Sequence, residues 1–192
     1  MSVRWRIRWS GLAVVALFLT GCTTGGGTEP DASSGSSTGL AAPGRAPDVP
    51  AGSRLVTCVS EEAHAKADAT PTATDLTVGA ISWPGLKGWA TGDPASYGSV
   101  ESSDYKVGVV VRAGAVVTVS VVGPDAGGVG LKYGQRSNFE PTTSVTFQGC
   151  KDYDTAYMGG FHVPDRKCIS FDIVEGGKPA VRVTVSFFAG PC

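Results

Sequence analysis

Two runs near the C-terminus alternate apolar and polar side chains with a period of two, and nothing else in the chain restricts its fold as strongly. Ile169, Phe171 and Ile173 alternate with Ser170, Asp172 and Val174; Val181, Val183, Val185 and Phe187 alternate with Arg182, Thr184, Ser186 and Phe188. Successive side chains of a strand point to opposite faces, so each run predicts a strand with one face buried. The intervening Glu175-Gly-Gly-Lys-Pro179 joins the two as a hairpin. The same pattern predicts strands at 107–111 and Val116–Val122, the latter with Val117, Val119 and Val121 facing in and Thr118 and Ser120 facing out. Further strands are expected at 54–58, 76–83, 131–133, 144–149 and 160–163, and only 61–68 reads as a helical turn or two. About eight short strands punctuated by Gly and Pro, with almost no helix, specify an all-β fold: an antiparallel β-sandwich, immunoglobulin-like or similar. Periodicity alone leaves a closed barrel as the alternative.

The front of the chain obeys different physics. Arg4, Arg6 and Arg8 precede the apolar run Leu12-Ala-Val-Val-Ala-Leu-Phe-Leu19, and Thr20-Gly21-Cys22 follows. A basic segment, a short apolar core and small residues before a cleavage point describe an export signal. An apolar run of about eight residues is too short to span a bilayer, which takes roughly 20. Leu19-Thr20-Gly21-Cys22 matches the lipobox of bacterial lipoprotein precursors. Its cysteine takes a diacylglyceryl group and becomes the first mature residue, and two acyl chains give stable anchoring where one is marginal. Residues 1–21 are therefore expected to be a signal peptide and Cys22 a lipid attachment site on the extracytoplasmic face of the cell membrane.

Residues 22–53 follow as a Gly/Ser/Thr/Pro-rich tether, as in Gly25-Gly26-Gly27 and Ser33-Ser34-Gly35-Ser36-Ser37. Such composition buries too little apolar surface to offset chain entropy. As a random coil it would hold the domain about 30 Å from the lipid. Residues 54–192 are long enough for one β-domain with its own core. Without the signal, 13 basic residues face 17 acidic ones, a formal charge of −4. That balance argues against nucleic acid as a partner, whose phosphates demand Lys and Arg.

Beyond Cys22 the chain has Cys58, Cys150, Cys168 and Cys192. An even number in an exported domain reads as two disulfides, with three possible pairings. Cys150–Cys168 would close a local loop and Cys58–Cys192 would join the first strand to the chain end, and this is the expected arrangement. A zinc site is disfavoured because no pair has the close Cys-x-x-Cys spacing.

Several segments, taken in their order along the chain, carry a resemblance. Leu76-Thr-Val-Gly-Ala-Ile-Ser-Trp-Pro-Gly-Leu86, Tyr105-Lys-Val-Gly-Val-Val-Val-Arg-Ala-Gly114 and Val145-Thr-Phe-Gln-Gly-Cys150 come first. Gly159-Gly160-Phe161, Cys168-Ile-Ser-Phe-Asp-Ile-Val174 and Val185-Ser186-Phe187 ahead of Cys192 complete the order. In that order the chain resembles a group of small actinobacterial secreted proteins and lipoproteins with a C-terminal cysteine-tipped β-domain. The resemblance implies location and architecture and brings no catalytic residues.

Candidates for chemistry are few. His162 lies between Phe161 and Val163, so its ring should point away from the core, and no Gly-x-Ser-x-Gly elbow accompanies it. His64 and Asp68 would share a helical face, without a second histidine to complete a metal site. Asp152, Asp154 and Asp165 are the carboxylates from which a glycosidase-type hydrolase pair would have to come. An aromatic loop holds Trp83, Trp89, Tyr97 and Tyr105, which would stack on sugar rings if exposed and would cap the core if not. The expectation is a non-enzymatic structural or binding domain in the cell envelope, with no catalytic residue, metal or cofactor. Its partners are the membrane through the N-terminal lipid, and a cell-wall glycan or envelope protein. The alternatives are a glycan or peptidoglycan binder working through the aromatic loop, and a hydrolase with an acidic pair.

Overall fold

The computed structural model describes residues 49–61, 63–66, 70–134 and 140–192. The signal, Cys22, the tether up to residue 48 and Asp68 lie outside the described residues.

The domain is an all-β sandwich whose three sheets close over one hydrophobic core. The first sheet runs β1 (Arg54–Val56), β10 (Ser144–Gln148), β8 (Val116–Val122), β13 (Lys167–Glu175) and β14 (Val181–Phe187). The second runs β2 (Ala63–Ala65), β11 (Thr155–Tyr157), β7 (Val109–Val111), β4 (Ile81–Trp83) and β3 (Leu76–Val78). The third runs β5 (Gly98–Ser99), β6 (Asp104–Lys106), β12 (Gly159–His162) and β9 (Gly130–Tyr133). Each sheet ends in two edge strands, so none closes into a barrel. The strands number fourteen among the described residues rather than about eight, because one expected run is split in two and short strands form at Ala63–Ala65, Gly98–Ser99, Asp104–Lys106 and Thr155–Tyr157, where no alternation marks them. The 76–83 run is the one split, by a two-residue hairpin between β3 and β4. Gly79 opens that hairpin at φ 56°, where a side chain would also collide with the Glu175 carboxylate.

The alternating runs fold as their period demands except at the hairpin end of β14, where Val181 is exposed and Val183 only partly buried. β13 and β14 pair antiparallel from Lys167↔Phe187 to Ile173↔Val181. Ile169, Phe171, Ile173, Val185 and Phe187 are buried with Val117, Val119, Val121, Val145 and Phe147. Each such side chain is worth roughly 1.5–3 kcal/mol when fully removed from water. Thr118, expected on the open face, is buried as well, and its hydroxyl meets that of Thr146 at 2.9 Å. Phe188 also departs from the pattern: at φ 60° its left-handed backbone ends the strand and swings the ring inward, where it is buried.

The 61–68 segment holds a strand, Ala63–Ala65, in place of the expected helical turn. Too short and polar to stabilise a helix by packing, it lends Ala63–Ala65 to the free edge of β11, in register from Ala63↔Tyr157 to Ala65↔Thr155. The Lys66 amide extends the ladder to the Asp154 carbonyl at 2.9 Å.

All four domain cysteines form disulfides, but the pairing is Cys58–Cys150 and Cys168–Cys192, with Cα separations of 4.9 and 5.9 Å. The expected Cys150–Cys168 link is excluded by sheet register. β8 pairs with β10 as Val116↔Gln148 and with β13 as Val122↔Ser170. Cys150 and Cys168 therefore lie beyond opposite ends of β8, a strand that itself spans about 20 Å. β1 lies parallel to β10, which brings Cys58 beside Cys150. The chain turns back after β14, which brings Cys192 to Cys168.

Candidate functional site

The aromatic loop turns inward. Trp83 stands on β4, and short 3-10 turns at Leu86–Ala90 and Pro94–Ser96 carry the chain past Trp89 to β5 and β6. Trp83, Trp89 and Tyr105 are buried, leaving Tyr97 only partly exposed. The Trp89 ring stacks on Phe188 at 5.4 Å and 13° and meets Tyr97 at 4.9 Å, Phe187 at 5.9 Å, Tyr105 at 6.2 Å and Phe161 at 6.3 Å. These rings fill the end of the sandwich, so the loop presents no exposed stacking platform. The Trp83 indole Nε1 is buried. It lies near enough to the Tyr133 hydroxyl to favour its ionised form, yet burial dominates and pushes that phenol far up. The hydroxyl itself donates to the Val107 carbonyl at 2.9 Å.

The opposite face of the third sheet gathers charge. His162 on β12 lies directly across from Asp104 on β6, and its Nδ1 is 2.9 Å from Asp104 Oδ1. Lys132 comes from β9, on the far side of β12, and its Nζ reaches Asp104 Oδ2 at 2.5 Å. The lysine crosses β12 where Gly160 is its cross-strand partner, so no side chain stands in its way. A Cβ at Gly160 would also collide with the Tyr105 carbonyl, so glycine is required twice over. All three side chains are partly exposed. Burial alone would raise the Asp104 pKa, but hydrogen bonds from Lys132 and His162 outweigh it and hold the carboxyl below the usual range. The cluster lines an open groove together with Ser102, Gly128 and Glu140.

Chemically, the cluster is an imidazole oriented by a carboxylate, as a general base requires. Here, however, the carboxylate is shared with an ammonium group. Among the described residues no hydroxyl or thiol hydrogen-bonds to the His162 ring, and no three His, Cys, Asp or Glu side chains converge as a metal site. The expectation that His162 faces away from the core holds; its ring is nonetheless engaged by Asp104 and only partly solvated. Asp104 and Lys132 are absent from the sequence reading because they lie 58 and 30 residues from His162 and meet it only through strand register.

The remaining candidates do not converge on this groove. Asp152 and Asp154 occupy the turn between β10 and β11, where Asp154 Oδ1 accepts the Ala113 amide at 3.0 Å and so ties two turns together. Asp165 is exposed on the turn between β12 and β13, 3.6 Å from Lys167 Nζ. His64 is exposed on β2.

No protein-family model matches the chain, and no curated protein matches it either.

Proposed function

We propose that the chain is an exported lipoprotein. Cys22 carries the lipid, residues 22–53 form the tether, and the β-sandwich has a structural or binding role, without catalysis, on the extracytoplasmic face of the cell membrane. One observation supports this reading above the others: the four cysteines of the sandwich satisfy one another in two disulfides. Disulfides form and persist in oxidising compartments outside the cytoplasm. Their mutual pairing leaves Cys22, the fifth cysteine, without a thiol partner in its own chain, and it stands where the lipobox needs it.

With the aromatic rings committed to the core, the face we assign to partner contact is the groove of Asp104, Lys132 and His162. Its mixture of ammonium, carboxylate, imidazole and hydroxyl groups suits a polar component of the envelope. The anchor is tested by fractionating cells that produce the chain and its Cys22→Ser variant. The wild type is expected in the membrane with its leader removed. The variant is expected to be released or to keep its leader; normal processing with undiminished membrane retention would refute the anchor.

A further inference from the structure

The order in which the chain enters the sandwich leaves its N-terminal end open to peeling. β1 is an edge of the first sheet, and β2 and β3 are the two edges of the second. Each has three residues, and each pairs with one neighbour only: β1 with β10, β2 with β11 and β3 with β4. A pull from the N-terminal side would meet a few backbone hydrogen bonds at a time, strand after strand. Interior strands break differently, because they must leave two neighbours at once.

Cys58 lies two residues beyond β1 and is bonded to Cys150, two residues beyond β10. β10 is an interior strand, held between β1 and β8. A pull through the N-terminus can therefore strip β1 and travel four residues, from Arg54 to Cys58, before it passes through the sulfurs to Cys150, which stands between β10, still paired with β8, and β11, held between β2 and β7. The residues between the two cysteines, a sequence separation of 92 with β2 and β3 inside it, drop out of the loaded path. The other chain end repeats the device: β14 is also an edge strand, and Cys192 beyond it is bonded to Cys168 on β13.

We infer that Cys58–Cys150 is a mechanical stop, which confines tension arriving through the N-terminal segment to β1 and keeps the other edge strands from peeling. The need for such a stop rests on the lipid-anchor reading, since an anchored tether is what would deliver the load.

The test is single-molecule stretching of the full chain, produced unlipidated in an oxidising compartment. One handle is placed on the Cys22 thiol and the other at the C-terminus. The oxidised protein should release about 15 Å or less of domain chain before its main rupture, the reach of four extended residues. The Cys58→Ser/Cys150→Ser double variant should release about 80 Å first, the length from Arg54 to the end of β3. It should do so in steps, at no more than half the wild-type rupture force. If the double variant fails to fold, Cys168→Ser/Cys192→Ser molecules already folded and held at low force are stretched before and after treatment with reductant, which then opens only Cys58–Cys150, with the same difference expected. Equal early release and equal force with and without the bond would overturn the inference. Neither measurement involves lipid, so an unmodified Cys22 in cells would defeat the anchor reading while leaving these force curves as they are.

Discussion

β12 presents two faces whose neighbours could hardly differ more. Phe161 points into a cluster of rings that includes Trp89, Tyr133, Phe171 and Phe187, and it is buried. His162, the next residue, joins Asp104 and Lys132 at the edge of an open groove. The inner face is held by removal of apolar area from water, a large term that is indifferent to exact geometry. The outer face is held by charges that remain in contact with solvent, where each pair is worth little and salt weakens it. One face therefore determines whether the domain folds. The other is free to vary without unfolding it, which is what a contact surface requires.

The comparison yields a ranked set of outcomes, all readable by urea unfolding. Trp89→Ala should be the most damaging, at about 3–5 kcal/mol, because it empties the middle of the ring cluster. A loss below about 1 kcal/mol would mean that the rings merely cover the sandwich. Gly160→Ala adds a methyl group that meets the Tyr105 carbonyl, so it should cost about 1–3 kcal/mol by forcing β6 and β12 apart. A neutral result would show that the sheet has slack at the point where Lys132 crosses.

Asp104→Asn should cost at most about 1 kcal/mol at neutral pH, since the pairs it breaks are partly solvated. Its pH dependence is more telling. The folded-state pKa of Asp104 is depressed, so its contribution is present above the ordinary aspartate value of about 3.9 and fades as pH falls through the lower folded value. The gap between wild type and variant should be full at pH 5 and above and shrink below about pH 4; a gap independent of pH would mean that the carboxylate is not stabilised by its neighbours. Asp152→Ala, on an exposed turn, should stay within about 0.5 kcal/mol. A larger loss would reveal a role for that turn which its exposure does not suggest.

The inner face is the part of the molecule that local pattern encodes. Alternation along 169–174 and 181–188 located β13, β14 and most of the buried set upon them, because period two and burial of one face are the same fact stated twice; Val181 stays exposed and Val183 only partly buried because the hairpin end of β14 runs past the core. Phe188 escaped it because a backbone turn, not the residue order, decides where that ring goes. The disulfides, the Asp104 cluster and β2 depend on which strands become neighbours across tens of residues. Cys58 finds Cys150 because β1 pairs in parallel with β10, and no local signal announces that choice. The alanine-rich 61–68 stretch illustrates the same limit, since its helical composition yields to the hydrogen bonds that β11 offers. Trp83 and Trp89 were legible as one group, but their direction, into the core or out of it, was set by the strands and turns around them.

Mass spectrometry of the protein isolated from the cells that make it, digested without reduction, is the most direct test. The account predicts an N-terminal peptide beginning at a diacylated Cys22, together with linked peptides joining Cys58 to Cys150 and Cys168 to Cys192. An intact leader ahead of an unmodified Cys22, with the remaining cysteines recovered as free thiols, would contradict it.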